Sequence, residues 1–275
     1  LQSDTTGVET VSTSSLTSFN SDGFSYGNFA GGNYNTGKYV AWCWRAGAGT
    51  TSTNTDGTIP SVVSVNQDAG FSIATYTATG STGSIGHGLG KTPAFVITKH
   101  RNLATHWRIW HKSLTAFDYT LFFNTGAQQS QPAYSALPTS SVINLAGDLT
   151  GAYNFVTYSW AEIEGFSKFG SYVGNGSSDG PFVYCGFKPA FILIKSSSAS
   201  YNWYIIDNAR SSTNPANSTL APNTSNVEDS GWNGVCDLLS NGFKIRESNA
   251  AVNGSGEMYI FAAFAESAFS YSNAK

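Results

Sequence analysis

The side chains in this sequence that could do acid–base, nucleophilic or metal chemistry are four histidines, three cysteines and a scatter of carboxylates. His100, His106 and His111 lie close together and invite a metal site, with His87 a little upstream. On a strand, however, successive side chains alternate between faces. His106 then points with Arg108 and Trp110, and His111 with Trp107 and Ile109, so three ligands do not converge and no metal is expected. Glycoside hydrolysis needs two carboxylates flanking a cleft. The candidates are Glu162, Glu164, Glu228, Glu247 and Glu266, with Asp207 and Asp237 considered beside them. No Ser/His/Asp set is recognisable from order or context. Gly80-Ser81-Thr82-Gly83 and Gly174-Asn175-Gly176 precede strands, which makes them hairpin turns and not phosphate cradles. The reading is of a chain with no catalytic residues, no metal and no cofactor, because function has to be argued from a site.

The elements that would position such residues are written twice. Residues 165–195, GFSKFGSYVGNGSSDGPFVYCGFKPAFILIK, read as a strand, a Gly/Asn/Ser/Asp turn, a strand, a Lys-Pro break and a strand. The last run, Ala190 to Lys195, has the unbroken apolar character of a strand covered on both faces. Residues 70–99, GFSIATYTATGSTGSIGHGLGKTPAFVITK, carry the same text. Tyr76 answers Tyr172, Pro93 answers Pro189, and Lys99 answers Lys195. Further on, His106-Trp107-Arg108-Ile109-Trp110 lies over Asn202-Trp203-Tyr204-Ile205-Ile206, and 154–162 lies over 258–266. This is an internal repeat of roughly one hundred residues, the size of one β-sandwich. No stretch sustains a 3.6-residue period over three turns, so helix is expected to be scarce.

The expected fold is therefore all-β: tandem antiparallel β-sandwiches of jelly-roll or lectin-like type, at 70–162 and 165–266. The join, Glu162-Ile163-Glu164, is almost no linker, so the second unit should pack directly on the first. Residues 1–46 read as the C-terminal part of an incomplete sandwich. Leu1–Glu9 matches Leu220–Glu228 without a gap, and Tyr39-Val40-Ala41-Trp42-Cys43-Trp44 takes the place of the closing strand at Tyr259. Val40, Trp42 and Trp44 are too apolar for water, so upstream residues or strands of a neighbouring subunit are expected to cover them. Residues 47–69 read as a flexible Gly/Ser/Thr linker with an edge strand at Ser61–Val65. Residues 267–275 read as a tail in which Phe269 and Tyr271 fold back on the last sheet.

The repeat also tests each candidate. The positions matching His100, His106 and His111 are Ser196, Asn202 and Asp207, which is not a ligand set. Glu162 and Glu266 share one repeat position, which points to a role at the domain join. Cys185 falls opposite Leu89, Cys43 opposite Ser159 and Ala263, and Cys236 opposite Thr17. The odd count and these counterparts predict unbridged thiols buried as small hydrophobes. Trp107 matches Trp203, while Trp44, Trp160 and Phe264 share a second position, as core residues do. Aromatics without a counterpart are the candidates for stacking on a glycan or receptor: Trp110, Tyr134, Tyr201 and Trp232, the last set between glycines in a loop.

Charged residues are only 11% of the chain and the net charge is -3, with no Lys/Arg cluster. A nucleic-acid footprint needs a basic stripe, so nucleic acid is set aside as a partner. No run of 18 apolar residues exists, so no membrane insertion is expected. Ser, Thr, Asn and Gly replace charge, as in rigid β-rich extracellular or particle-borne proteins, and the cysteine usage fits assembly in a reducing cytoplasm.

Several strings together carry a resemblance. TSFNSDGF (17–24), YVAWCWRAG (39–47), DAGFSIATYTATG (68–80), HGLGKTPAFVITKHR (87–101), EGFSKFGSYVGNGSSDGPFVYCGFKPAFILIK (164–195) and SNGFKIRES (240–248) look like a repeat family of tailed-bacteriophage structural proteins. Such proteins are described loosely as tail fibre, capsid fibre or virion structural protein. The resemblance implies a non-enzymatic virion component assembled in the host cytoplasm. Its expected partners are other virion proteins, further copies of itself as a homo-oligomer, and a host surface glycan during attachment. The alternative is a carbohydrate-binding module of a cell-surface adhesin, which would show an exposed aromatic cluster in a groove.

Overall fold

A computed structural model of the chain describes residues 1–266. The tail with Phe269 and Tyr271 lies outside them. In chain order the first strands are β1 (Leu16–Phe19), β2 (Phe24–Tyr26), β3 (Ser52–Asn54), β4 (Ser61–Asn66), β5 (Phe71–Thr77) and β6 (Gly83–Gly86). Then come β7 (Phe95–His100), β8 (Arg108–His111), β9 (Tyr119–Phe122), β10 (Gln129–Ser130), β11 (Val142–Leu145) and β12 (Asn154–Trp160). The remainder are β13 (Ser167–Val173), β14 (Phe182–Tyr184), β15 (Pro189–Ser196), β16 (Tyr204–Asp207), β17 (Cys236–Leu239), β18 (Gly242–Ile245) and β19 (Met258–Ala265). Helix is confined, among the described residues, to α1 (Ala30–Asn33), α2 (Ala250–Asn253) and one 3-10 turn at Gly147–Thr150. The protein is all-β, and every pairing between named strands is antiparallel. No described helix is long and apolar enough to cross a membrane.

The first set of strands forms an eight-stranded sheet, β10-β9-β8-β7-β12-β5-β4-β3, facing the pair β11-β6. The second forms β13-β19-β15-β16 facing β14-β18-β17. At the centre of the large sheet, the order β5-β12-β7-β8 places opening, closing, second and third strands side by side. The second set has that same order in β13-β19-β15-β16. Registers agree as well. Tyr76 pairs with Phe155 where Tyr172 pairs with Tyr259, and Phe95 pairs with Trp160 where Phe191 pairs with Phe264. Both tyrosines stack on their partners, with ring centroids 4.9 Å and 5.0 Å apart.

β15 lies between two cores, which accounts for its continuous apolar run. Ile192 and Ile194 enter the interior of the second unit with Phe243, Ile245 and Tyr259. Leu193 turns the other way, into a cluster with Phe95, Trp110, Trp160, Trp203 and Phe264 that ties the two units together. Glu162 holds the join as its repeat position suggested. Its Oε1 accepts Lys112 Nζ of the first unit at 2.6 Å and the Phe169 amide of the second at 3.0 Å. Burial alone would raise this carboxyl, but Lys112 and the Phe169 amide outweigh it and hold it below its ordinary value.

Two expectations change on inspection. Much of the stretch read as a flexible linker is a hairpin, with β3 pairing β4 and β4 extending the sheet beyond β5. Its turn is fastened by the Asp56 amide donating to Asn54 Oδ1, and Val63 and Ile59 are buried. Polar composition hid a strand whose alternate residues are apolar. The second change concerns the cysteines: all three are free, but Cys43 is exposed while Cys185 and Cys236 are buried. Desolvation pushes each buried thiol up to about 12. A thiol-specific reagent at neutral pH should therefore label one residue, Cys43, in the native chain and all three only after unfolding. Rapid native labelling at Cys185 or Cys236 would contradict this packing.

Candidate functional site

Three of the four histidines are buried, apart from one another, and each is consumed by its own hydrogen bonds. His87 lies between Thr139 O at 3.2 Å and the Leu89 amide at 3.2 Å. His100 lies between Asp148 O and Thr105 Oγ1. His111 Nδ1 accepts the Ser113 amide, so Nε2–H donates to Phe261 O of the second unit at 3.1 Å. His106 is exposed, edge-on to Phe122. Among the described residues no group of His, Cys, Asp and Glu could hold a metal ion.

The four aromatics nominated for ligand stacking divide. Trp110 is 4% exposed and Tyr134 3%, so neither is a surface platform, and that expectation is corrected. Lack of a repeat counterpart did not place them outside. Trp110 joins the core between the units, and Tyr134 bridges to Leu145 of β11. Tyr201 is half-buried. Trp232 is half-buried too, its indole N–H donating to Asp229 Oδ2 at 3.0 Å and its ring edge-on to Tyr204 at 5.4 Å. An open hollow of about 390 Å³ lies elsewhere, lined by Lys91, Pro93, Trp110, Lys112, Leu137 and Glu162. Its one carboxylate is already paired with Lys112. Gly176-Ser177-Ser178-Asp179-Gly180 has Gly-x-Ser-x-Gly spacing, but it is an exposed turn between two strands. A nucleophile elbow is a strand-to-helix turn, and all four histidines belong to the other unit.

The residues that do converge are ones that sequence reasoning noticed only as repeat markers. Lys99 and Lys195 are both completely buried. Each ammonium is caged by three backbone carbonyls in the same pattern. Lys99 Nζ donates to His100 O, Leu103 O and Thr6 O at 3.0, 3.4 and 3.4 Å. Lys195 Nζ donates to Ser196 O, Ala199 O and Thr125 O at 2.7, 3.2 and 3.3 Å. In each cage two carbonyls are local, and the third comes from the preceding part of the chain. The tryptophan eight positions on reaches the same foreign segment. Trp107 Nε1 donates to Gln2 O at 3.0 Å, and Trp203 Nε1 to Phe122 O at 2.8 Å. Burial lowers both ammonium groups, Lys195 to about 8.

Each lysine–tryptophan pair is thus a clasp that grips a loop of the segment before it. The gripped loops share a short string: Leu1-Gln2-Ser3-Asp4-Thr5, with the Lys99 acceptor Thr6 one residue beyond it, Leu121-Phe122-Phe123-Asn124-Thr125 and, so far ungripped, Leu220-Ala221-Pro222-Asn223-Thr224. Leu-x-x-(Asn/Asp)-Thr was the available signal. It supplies a turn whose carbonyls face outward, and carbonyls leave no mark on residue type.

A second set of contacts closes the three parts on one another. His111 reaches Phe261 O, and Asp207, at the matching position, accepts Trp42 Nε1 at 3.1 Å. Trp44 lies edge-on to Trp160, Phe191 and Phe264, at 6.2, 5.2 and 5.4 Å. Residues 39–44 form no strand, which corrects the closing-strand reading, and Trp42 and Trp44 take their half-burial from Trp160, Phe191 and Phe264 of the same chain, where upstream residues or a neighbouring subunit were expected. The chemistry of the arrangement is cohesion: donors aimed at backbone carbonyls of adjoining segments and, for Trp42, at the Asp207 carboxylate.

No curated protein and no solved structure matches this chain. A family described as a domain of unknown function, DUF7483, matches residues 1–268, and the chain belongs to that family.

Proposed function

We propose that this protein is a non-enzymatic structural subunit of a bacteriophage particle, a β-rich fibre or surface appendage of capsid or tail. The observation that carries the reading is the use of its reactive side chains. The buried lysines, the clasping tryptophans and His111 are all spent on backbone carbonyls of adjoining segments. A chain built in this way is a cohesive brick, suited to repeated contacts with other virion proteins and with copies of itself. The resemblance of its strings to phage structural repeats supplies the setting. The test is mass spectrometry of purified intact particles, with an antibody against the chain to place it by electron microscopy. Label on fibres or on the particle surface is expected. Purified particles that lack the chain would overturn the reading.

The second reading, a carbohydrate-binding module of an adhesin, rests on Trp232 and Tyr204, which present a half-buried edge-on pair beside an exposed loop. Glycan-array binding abolished by Trp232→Ala would favour it, either in an adhesin or as the attachment surface of the phage appendage.

A further inference from the structure

Residues 16–39 repeat a set of contacts found in the closing half of the second unit. Phe19 pairs with Phe24 where Leu238 pairs with Phe243. Asn33 Nδ2 donates to Gly27 O at 2.8 Å, as Asn253 Nδ2 donates to Glu247 O at 2.8 Å. Tyr39 Oη donates to Ala30 O and accepts the Tyr34 amide. Tyr259 Oη likewise donates to Ala250 O and accepts the Gly254 amide. The Asn33 and Asn253 amides close the same helical turn, onto Phe29 O and Asn249 O.

What differs is the cover. In the second unit, Asn253 also donates to Asn175 Oδ1 and Ser177 O, Tyr259 stacks on Tyr172, and β18 pairs with β14. All of those partners belong to the opening half of that unit, and Asn253, Tyr259 and Phe243 are fully buried beneath it. Their counterparts stand open: Tyr39 is 53% exposed, Phe24 40%, and Phe19 83% where Leu238 is 5%. Nearby, the loop Leu220–Ser225 has the string that the two clasps grip, and among the described residues no lysine or indole grips it. That loop already touches the N-terminal segment, with Ser3 Oγ donating to Pro222 O at 2.5 Å.

We infer that this open face and the loop at Leu220–Ser225 together form a docking site for one further opening half of the same repeat. The occupant is defined by its chemistry: a β13-like strand whose tyrosine stacks on Tyr39, a β14-like strand for the free edge of β2, and a clasp. The clasp is a lysine and a tryptophan eight positions apart, aimed at carbonyls of the Leu220–Ser225 loop as Lys195 and Trp203 are aimed at Thr125 and Phe122. Seated there, it would complete a third sandwich. The three units would then grip one another head to tail, the first on the third, the second on the first and the third on the second. The chain itself supplies two filled examples of each half of this contact. Docking is independent of the particle in which the protein is used.

The test places a donor in the covalent position it has in the second unit. A copy of residues 165–219 is joined to Leu1, as 219 joins Leu220, and backbone hydrogen exchange is followed in the full chain. The amides of Phe24–Tyr26 and Tyr39–Trp44 are expected to slow by about tenfold or more, together with those of the Leu220–Ser225 loop. Placing Lys195→Met and Trp203→Ala in the added copy alone should free the Leu220–Ser225 loop again while the cover over Tyr39 persists. Unchanged exchange at Phe24–Tyr26 and Tyr39–Trp44, with the added copy itself unprotected, would overturn the inference. So would protection of the loop that survives loss of the clasp.

Discussion

Trp203→Ala is expected to destabilise the chain by about 3–5 kcal/mol, the cost of emptying a fully buried indole site that cannot collapse. Trp203 is 1% exposed and sits where three elements meet. Its ring packs edge-on to Phe123 at 5.3 Å, its neighbours include the cluster shared by both units, and its N–H holds Phe122 O. Phe122 and Phe123 belong to the first unit and Trp203 to the second, so the loss falls on their union and not on one core. Urea denaturation with an unchanged slope and a lowered midpoint would report it. Trp107→Ala, in the matching site but 8% exposed, should cost less, because the segment it grips, Gln2 to Thr6, is itself exposed. Equal and small effects below about 1 kcal/mol would remove Trp203 from the joint.

The second large effect is with acid. Desolvation lowers His111 from 6.5 to about 3, and burial lowers His87 and His100 as well. The folded chain keeps His111 neutral, with Nε2–H on Phe261 O and Nδ1 facing the Ser113 amide. Below pH 6.5 the unfolded chain binds a proton that the folded chain refuses until about pH 3. Stability therefore falls as pH drops through this window. Between about pH 6.5 and 4.5 the His111 loss alone amounts to about 2–3 kcal/mol. Lys112 disfavours the proton and Glu162 favours it, but burial dominates both. His111→Gln should flatten the slope over that window, leaving the smaller share of His87 and His100. A slope unchanged by the substitution would mean that His111 is protonated, or exposed, in the folded chain.

The parts legible in the sequence were those written in side-chain size and polarity. Alternating and continuous apolar runs gave the strands, and the recurrence of Trp107 at Trp203 marked two residues that are both buried. The shared position of Glu162 and Glu266 pointed to the join that Glu162 holds through Lys112 and Phe169. Other features escaped for physical reasons. A lysine reads as surface, yet Lys99 and Lys195 are buried because carbonyls, which no residue type reveals, surround each ammonium. Trp110 and Tyr134 looked free because no repeat counterpart needed them, although a core takes aromatics wherever two layers leave space. The strand at Ser52–Asn54 is short, polar and at an edge, where composition and strand signal diverge.

Units joined by clasps of this kind should unfold as one body. The direct measurement is pulse-labelled hydrogen exchange across a urea titration, following β7 and β12 of the first unit and β15 and β19 of the second. The wild-type chain should show one shared midpoint. A chain carrying Lys195→Met and Trp203→Phe keeps most of the buried volume but loses both donors to Thr125 and Phe122. In that chain the β15 and β19 midpoint should separate from that of β7 and β12. A single midpoint, at the wild-type urea concentration in both chains, would contradict the assignment of these side chains as the joint between the units.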